Sequence, residues 1–295
     1  MTPRTVEPWH QSPWDWRAAI QFICGGTGSG LIAFTALAAL SDPAWLWRTG
    51  LAGAGIVCLG LLSVFIKLGR RWRAFLVIMN PFTSWLTREA LLAPVLIGLM
   101  LLAVLLADRI VAAAAGLAGL GFLYAQARML KEARGIPAWR NDWMLRLVIA
   151  TGLAEGLSLL ALAAAYFGSP GPWLAWSLAG IILLRLMVWL IYRYTLTRSG
   201  AAPIRTGEVL QAMQWPLVLA GHVLPLTLLL LSRFFPDPRW LLALAGCAAC
   251  LSGWYLKFML VTRAAYTQGF GLVRTPARTP GYSGPGVKPG WTSPD

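Results

Sequence analysis

The chain has 295 residues, 58% of them hydrophobic and 12% charged, with a mean hydropathy of +0.64 and a net charge of +14. So much apolar surface exceeds what one soluble core of this length could bury, and lipid must act as solvent for a large part of it. The basic residues sit in short clusters between apolar runs, the pattern that orients membrane helices, which argues against nucleic acid as a partner.

Residues 1–17 carry Pro8, Trp9, Pro13, Trp14 and Trp16 but neither a compact basic start nor a small-residue cleavage site. The apolar run behind them is therefore expected to be retained as a helix. A run of about 20 apolar residues crosses a hydrocarbon layer of about 30 Å as a helix, because only the helix satisfies every backbone group internally. Such runs predict helices at 18–40, 50–66, 90–107, 110–127, 145–166, 173–191, 209–231 and 240–261, with Asp108 and Arg109 alone marking the turn between the third and fourth. The expected organisation is an interfacial segment at 1–17, an all-α transmembrane domain of eight helices at 18–263, and an irregular tail at 264–295 with five Pro and six Gly. Tryptophans near the predicted helix ends (Trp45, Trp47, Trp72, Trp85, Trp139, Trp143, Trp173, Trp176, Trp189, Trp240) suit the headgroup region.

Eight helices put both termini on one face. With the tails and adjacent helix ends, that face carries 20 of the 25 Lys and Arg; only Arg48, Arg109, Arg233 and Arg239 fall opposite, and Arg185 lies inside a helix. The bias predicts cytoplasmic termini. The stretch 26–40 (GTGSGLIAFTALAAL) is similar to 152–166 (GLAEGLSLLALAAAY), a sign of internal duplication into two four-helix bundles of the same orientation. Each stretch has a G-x-x-x-G spacing, Gly26 to Gly30 and Gly152 to Gly156, which lets helix backbones approach closely in lipid.

A membrane b-type haem usually needs two axial His, and the chain has only His10 in the tail and His222 in the seventh helix, so no haem is expected. Cys24, Cys58, Cys247 and Cys250 are too few for an iron–sulfur cluster and read as small apolar packing groups; no metal site is expected. Ionisable groups at membrane depth are costly and are functional candidates by default. Glu155, Arg185 and His222 qualify, at expected depths of about 15, 10 and 20 Å from the termini face. A short FGSPGP turn makes the fifth and sixth helices neighbours, so Glu155 and Arg185 could pair, as a brace or as part of a proton path.

A second polar set gathers near the termini face: Gln21, Asn80, Ser84, Arg88, Glu89, Gln126, Gln211 and Gln214. Beside apolar walls and Trp16, such groups suit a quinone headgroup whose isoprenoid tail stays in lipid.

The segment 67–90 (KLGRRWRAFLVIMNPFTSWLTREA) resembles a stretch typical of the dimethyl sulfoxide reductase anchor and polysulfide reductase membrane-subunit families, and further matches lie at 14–30, 135–140 and 262–272. The opening WDWRAAIQFICGGTGSG and the GIPAWR motif are most similar to the membrane subunits of phenylacetyl-CoA:acceptor oxidoreductases. The resemblance implies a haem-free, non-catalytic anchor subunit in the bacterial cytoplasmic membrane. It would dock a four-cluster iron–sulfur subunit and a molybdopterin catalytic subunit, and exchange electrons with menaquinone or ubiquinone. It further implies that Glu89 is the carboxylate of the quinone site, handling protons; of the polar set above, Arg88, Gln21 and Gln126 are then expected to fix the headgroup, with Asn80 nearby. The polysulfide-reductase pattern would add a Tyr or His that this sequence does not clearly supply.

Two other readings compete. A secondary transporter could use Glu155, Arg185 and His222, although parallel repeats and the expected lack of Pro-broken midplane helices count against it. A docking protein with no quinone site is the other.

Overall fold

The computed structural model describes residues 8–270. Eight of its helices are long and apolar enough to cross a membrane: α1 (Trp16–Ala39), α2 (Leu46–Lys67), α3 (Trp85–Leu106), α4 (Arg109–Lys131), α5 (Asp142–Phe167), α6 (Trp173–Ser199), α7 (Ile204–Leu231) and α8 (Arg239–Thr262). This is the architecture of an all-α, multi-pass membrane protein.

Polar side chains at the ends start the helices by accepting from backbone donors that the first turn leaves free. Asp15 accepts from Arg17 N and Ala18 N, Ser84 from Thr87 N, Asp108 from Ile110 N and Val111 N, and Asn141 from Trp143 N. The Ser84 cap starts α3 five residues before the expected position, so Arg88 and Glu89 lie within its opening turns. The abrupt turn into α4 rests on Ala107, held at φ +50°, with Asp108 capping the new helix.

Burial and pairing repeat every four helices. In the apolar window of each span, 78, 33, 28 and 50% of residues are buried for α1 to α4, and 72, 33, 28 and 56% for α5 to α8. Helix α1 packs along α2 and α4, and α3 along α4; likewise α5 packs along α6 and α8, and α7 along α8. The central helices α1 and α5 then pack on each other.

That crossing is made of the two G-x-x-x-G motifs. A Cβ on Gly30 would overlap the Gly152 carbonyl oxygen, one on Gly156 would overlap the Gly30 backbone, and one on Gly152 would meet the Gly26 oxygen at 3.2 Å. Each glycine of the GGTGSG run faces a different neighbour: Gly25 meets Gln126 of α4, Gly26 meets Lys257 of α8, Gly28 meets Gly53 of α2, and Gly30 meets α5. A helix with four close neighbours has no room for larger side chains on those faces.

Three expectations change here. The tail is not irregular from residue 264: strand β2 (Tyr266–Phe270) pairs antiparallel with β1 (Pro8–His10), and Gln11 bonds the Val261 and Ala265 carbonyls, tying the two ends of the described segment together. Residues 271–295 lie outside the described region. Trp45, Trp139 and Trp189 are buried inside the bundle, with Trp139 Nε1 donating to Leu260 O at 2.9 Å; a Trp near a span end serves packing as readily as the interface. Finally, α7 is not regular: a π turn at Leu219–Val223 separates a segment containing Pro216 from one opening with Pro225, since proline cannot donate to the helix ladder.

Candidate functional site

A cleft of about 820 Å³ lies at the termini end between α1, α2, α3 and the 3₁₀ segment Arg71–Met79, with Met129 of α4 at its side. Its walls are mostly apolar: Phe22, Leu61, Leu62, Phe65, Val77 and Leu86 among others. Leu62 and Phe65 of α2 and Leu86 of α3 are exposed and line the cleft, so apolar side chains of two helices face it.

Two polar groups, Gln21 and Glu89, reach this cleft from the bundle interior. Gln21 Nε2 donates to Glu89 Oε1 at 2.7 Å, and Gln126 Nε2 approaches the same oxygen at 3.5 Å while donating to the backbone oxygen of Gln21 at 3.0 Å. Residue 25 must be glycine for this, because a Cβ there would overlap Gln126 Nε2. All three side chains are buried, yet among the described residues Glu89 Oε2, Gln21 Oε1 and Gln126 Oε1 have no hydrogen-bond partner. Unsatisfied acceptors in an apolar wall cost free energy that a donor-bearing ligand recovers.

Other members of the expected set lie elsewhere. Arg88 donates to the Pro81 and Phe82 carbonyls at 2.8 and 2.7 Å and stacks over Trp85 at 4.1 Å, bracing the loop before α3. Successive helical residues point about 100° apart, so with Glu89 turned inward Arg88 turns away. Asn80 is exposed in that loop and lines no part of the cleft. Trp14, rather than the exposed Trp16, contributes to the wall. Gln211 belongs to another surface, bonded to Arg193.

At the mouth, Lys67 lines the cleft and bonds the Pro13 carbonyl, with Asp15 3.6 Å away. Partial burial would raise the Asp15 carboxyl, but the Arg17 hydrogen bond and the charges of Lys67 and Arg17 outweigh it and hold the group below the usual carboxylate range.

Glu155 does not pair with Arg185. Its partner is Lys257 of α8, at 2.6 Å and fully buried, and Thr27 Oγ1 donates to the same oxygen at 2.8 Å while accepting from Trp254 Nε1 at 3.0 Å. Arg185 instead donates to neutral acceptors: His222 Nε2 at 3.2 Å, Ala249 O at 2.9 Å, Gly221 O at 2.6 Å and Ser252 Oγ at 3.0 Å. Because arginine can only donate, His222 Nε2 must accept and Nδ1 carries the proton, donated to Leu217 O at 3.0 Å. Arg185 and His222 thus share one level, against the separate depths expected. Helix α6 runs on to Ser199 and α7 begins at Ile204, which resets both counts.

Lys257 is the residue that sequence reasoning missed. It lies five positions from the end of α8, where a lysine reads as a surface charge reaching out of the lipid. Among the described residues, no group of three or more His, Cys, Asp or Glu is placed to hold a metal ion.

Fold and site together define a multi-pass helical membrane protein with a buried carboxylate among the residues that line an apolar cleft. No protein-family model matches the chain, and no curated protein matches it in sequence.

Proposed function

We propose that this protein is the quinone-binding anchor subunit of a membrane-bound oxidoreductase, with Glu89 as the proton-exchanging group of the quinone site. The observation that carries the reading is a pair of buried oxygens with no partner among the described residues, Glu89 Oε2 and Gln21 Oε1, on two side chains that line an apolar cleft. A quinol offers two hydroxyl donors and an isoprenoid tail, which fit those acceptors and the Leu61, Leu62, Phe65 and Leu86 wall. The volume falls in the range of small-molecule sites, about 300–1,000 Å³.

A bound quinone would supply two-electron, two-proton redox chemistry. The chain's own part is to bind and to hold protons. Gln21 and Gln126 orient the Glu89 carboxyl through Oε1, which leaves Oε2 to accept a proton from the ligand or return one. The apolar walls exclude water from the exchange.

The resemblance supplies the remainder of the reading: a four-cluster iron–sulfur subunit and a molybdopterin subunit docked at the termini face, in a bacterial cytoplasmic membrane with both termini inside. The repeat of burial and pairing every four helices supports a duplicated architecture of two four-helix bundles. In that architecture the cleft belongs to the first bundle, and the Arg185–His222 cluster to the second.

Glu89→Gln keeps the hydrogen bond to Gln21 but removes the exchangeable proton. Quinone-linked turnover of the purified complex should be abolished while turnover with a soluble dye persists; equal loss of both would refute the assignment.

A secondary transporter is the second reading, favoured by the π turn that interrupts α7 beside Arg185 and His222. Gentle purification separates the two. An anchor brings an iron–sulfur protein with brown absorbance, whereas a transporter comes alone.

A further inference from the structure

The cleft carboxylate has polar company that leads away from the cleft. Gln126 Nε2 faces Glu89 and Gln21, and its Oε1 is buried without a partner among the described residues. That oxygen sits over Gly26, where a Cβ would meet it at 3.4 Å and would overlap Lys257 Nζ. The α4 amide and the α8 ammonium therefore flank one point on α1, a point open only because residue 26 has no side chain. Lys257 then reaches Glu155 at 2.6 Å, and Thr27 bonds the same carboxylate. Glu155 Oε1 is itself buried and has no partner among the described residues, packed against Gly253, whose Cβ would come within 2.7 Å. From Gln21 to Thr27 the row advances along α1 by about 9 Å, from the cleft toward the middle of the membrane.

We propose that Glu89, Gln126, Lys257 and Glu155 act as one electrostatic unit, in which the buried Lys257–Glu155 pair tunes the charge state of the cleft carboxylate through Gln126. The inference rests on the quinone reading of the cleft. Lys257 and Glu155 are positioning residues here, acting on the ligand only through Glu89. The physical ground is the dry interior: a charge that would be screened in water acts across a helix diameter where neither water nor salt enters. While Lys257 and Glu155 are paired their opposite charges offset one another, and Gln126 stands between that pair and Glu89. Any shift of the ammonium from Glu155 toward Gln126 Oε1 leaves that offset incomplete.

The other titratable groups around the unit are few. Arg185 on α6 and the Cys24 and Cys250 thiols on α1 and α8 are the titratable groups nearest Glu155 besides Lys257. Lys67 and Cys58 on α2 line the cleft that Glu89 faces, and Arg88 on α3 points to the preceding loop. The α4 and α1 groups between the two carboxylates, Gln126 and Thr27, do not titrate.

The test measures binding of ubiquinone-1 across a pH series, using the full chain in lipid nanodiscs. Wild-type affinity passes through a midpoint that Glu89→Gln removes. Glu155→Gln leaves a bare ammonium and Lys257→Gln a bare carboxylate, so the two should move that midpoint in opposite directions, changing affinity at fixed pH by about tenfold. The double variant, neutral again, should bring it back. A pair that only braces α5 against α8 would instead weaken binding in both single variants with the midpoint unmoved, and that result overturns the proposal. Should the single variants fail to insert, Thr27→Val decides the matter: it withdraws a hydrogen bond from Glu155 without touching Glu89. A smaller displacement of the midpoint is expected there, and none overturns the unit. Absence of any ubiquinone-1 binding by the wild type would instead sink the quinone reading, and this inference with it.

Discussion

Gly156→Ala adds one methyl group where the backbones of α1 and α5 lie against each other. The new Cβ would come within 2.6 Å of Gly30 Cα and closer still to the Gly30 carbonyl carbon and Leu31 nitrogen. All three are backbone atoms of α1, which cannot rotate aside as a side chain can. Ordinary carbon–carbon contact needs about 3.5 Å, so α1 and α5 must part by roughly 1 Å, and a gap of that size forfeits about a quarter to a half of each dispersion contact along the seam. Overpacking of this kind costs about 1–3 kcal/mol in well-packed cores. The upper part of that range is expected here, because lipid provides no hydrophobic force to hold the helices together. Gly180→Ala, in α6 where nothing lies within 4 Å of the added methyl, is the matched control and should be neutral or slightly stabilising. Thermal unfolding of the two variants in one detergent, followed by fluorescence-detected size exclusion, makes the comparison. Equal melting temperatures for Gly156→Ala and Gly180→Ala would refute the account of the α1–α5 crossing.

Arg185→Lys should not substitute for arginine, because one ammonium cannot reach two carbonyls, a hydroxyl and an imidazole nitrogen together. A loss of about 3 kcal/mol or more is expected from the unsatisfied groups, and a wild-type melting temperature would contradict it. At the surface, Asp15→Asn should cost about 1 kcal/mol or less, since the carboxylate is partly exposed and its ion pairs are screened. The Asp15 carboxyl lies below its unfolded value in the folded protein, so its contribution is present above the unfolded value near 3.8 and fades as pH falls through the lower folded one. Acid unfolding of wild type and Asp15→Asn should therefore converge at low pH, and curves that keep a constant separation would count against it. The turnover test of Glu89→Gln and the binding cycle at Glu155 and Lys257 complete the set.

The eight spans were legible in the sequence because each run of apolar residues answers alone to the thickness of the hydrocarbon layer and to its own backbone hydrogen bonds. The G-x-x-x-G motifs were legible as close-approach points, but not that they meet each other. Glu89, Gln21 and Gln126 could be read as polar groups near one face. Their convergence on a single oxygen, and the departure of Arg88 and Asn80 from the set, depend on how α1, α3 and α4 are rotated about their axes. The Glu155 partner was misread for the same reason. Loop length made α5 and α6 neighbours, yet the small residues of α8, Gly246 and Gly253, bring that helix against α5 at Ser158 and Glu155 and deliver Lys257 instead. Arg185 and His222 were set at different depths until the tertiary structure extended α6, moved the start of α7 and opened its π turn. Span number and polarity are local properties of the chain, and the sequence alone determined them. Which buried polar groups face one another is decided by helix rotation and register, which follow from where small residues allow distant backbones to touch.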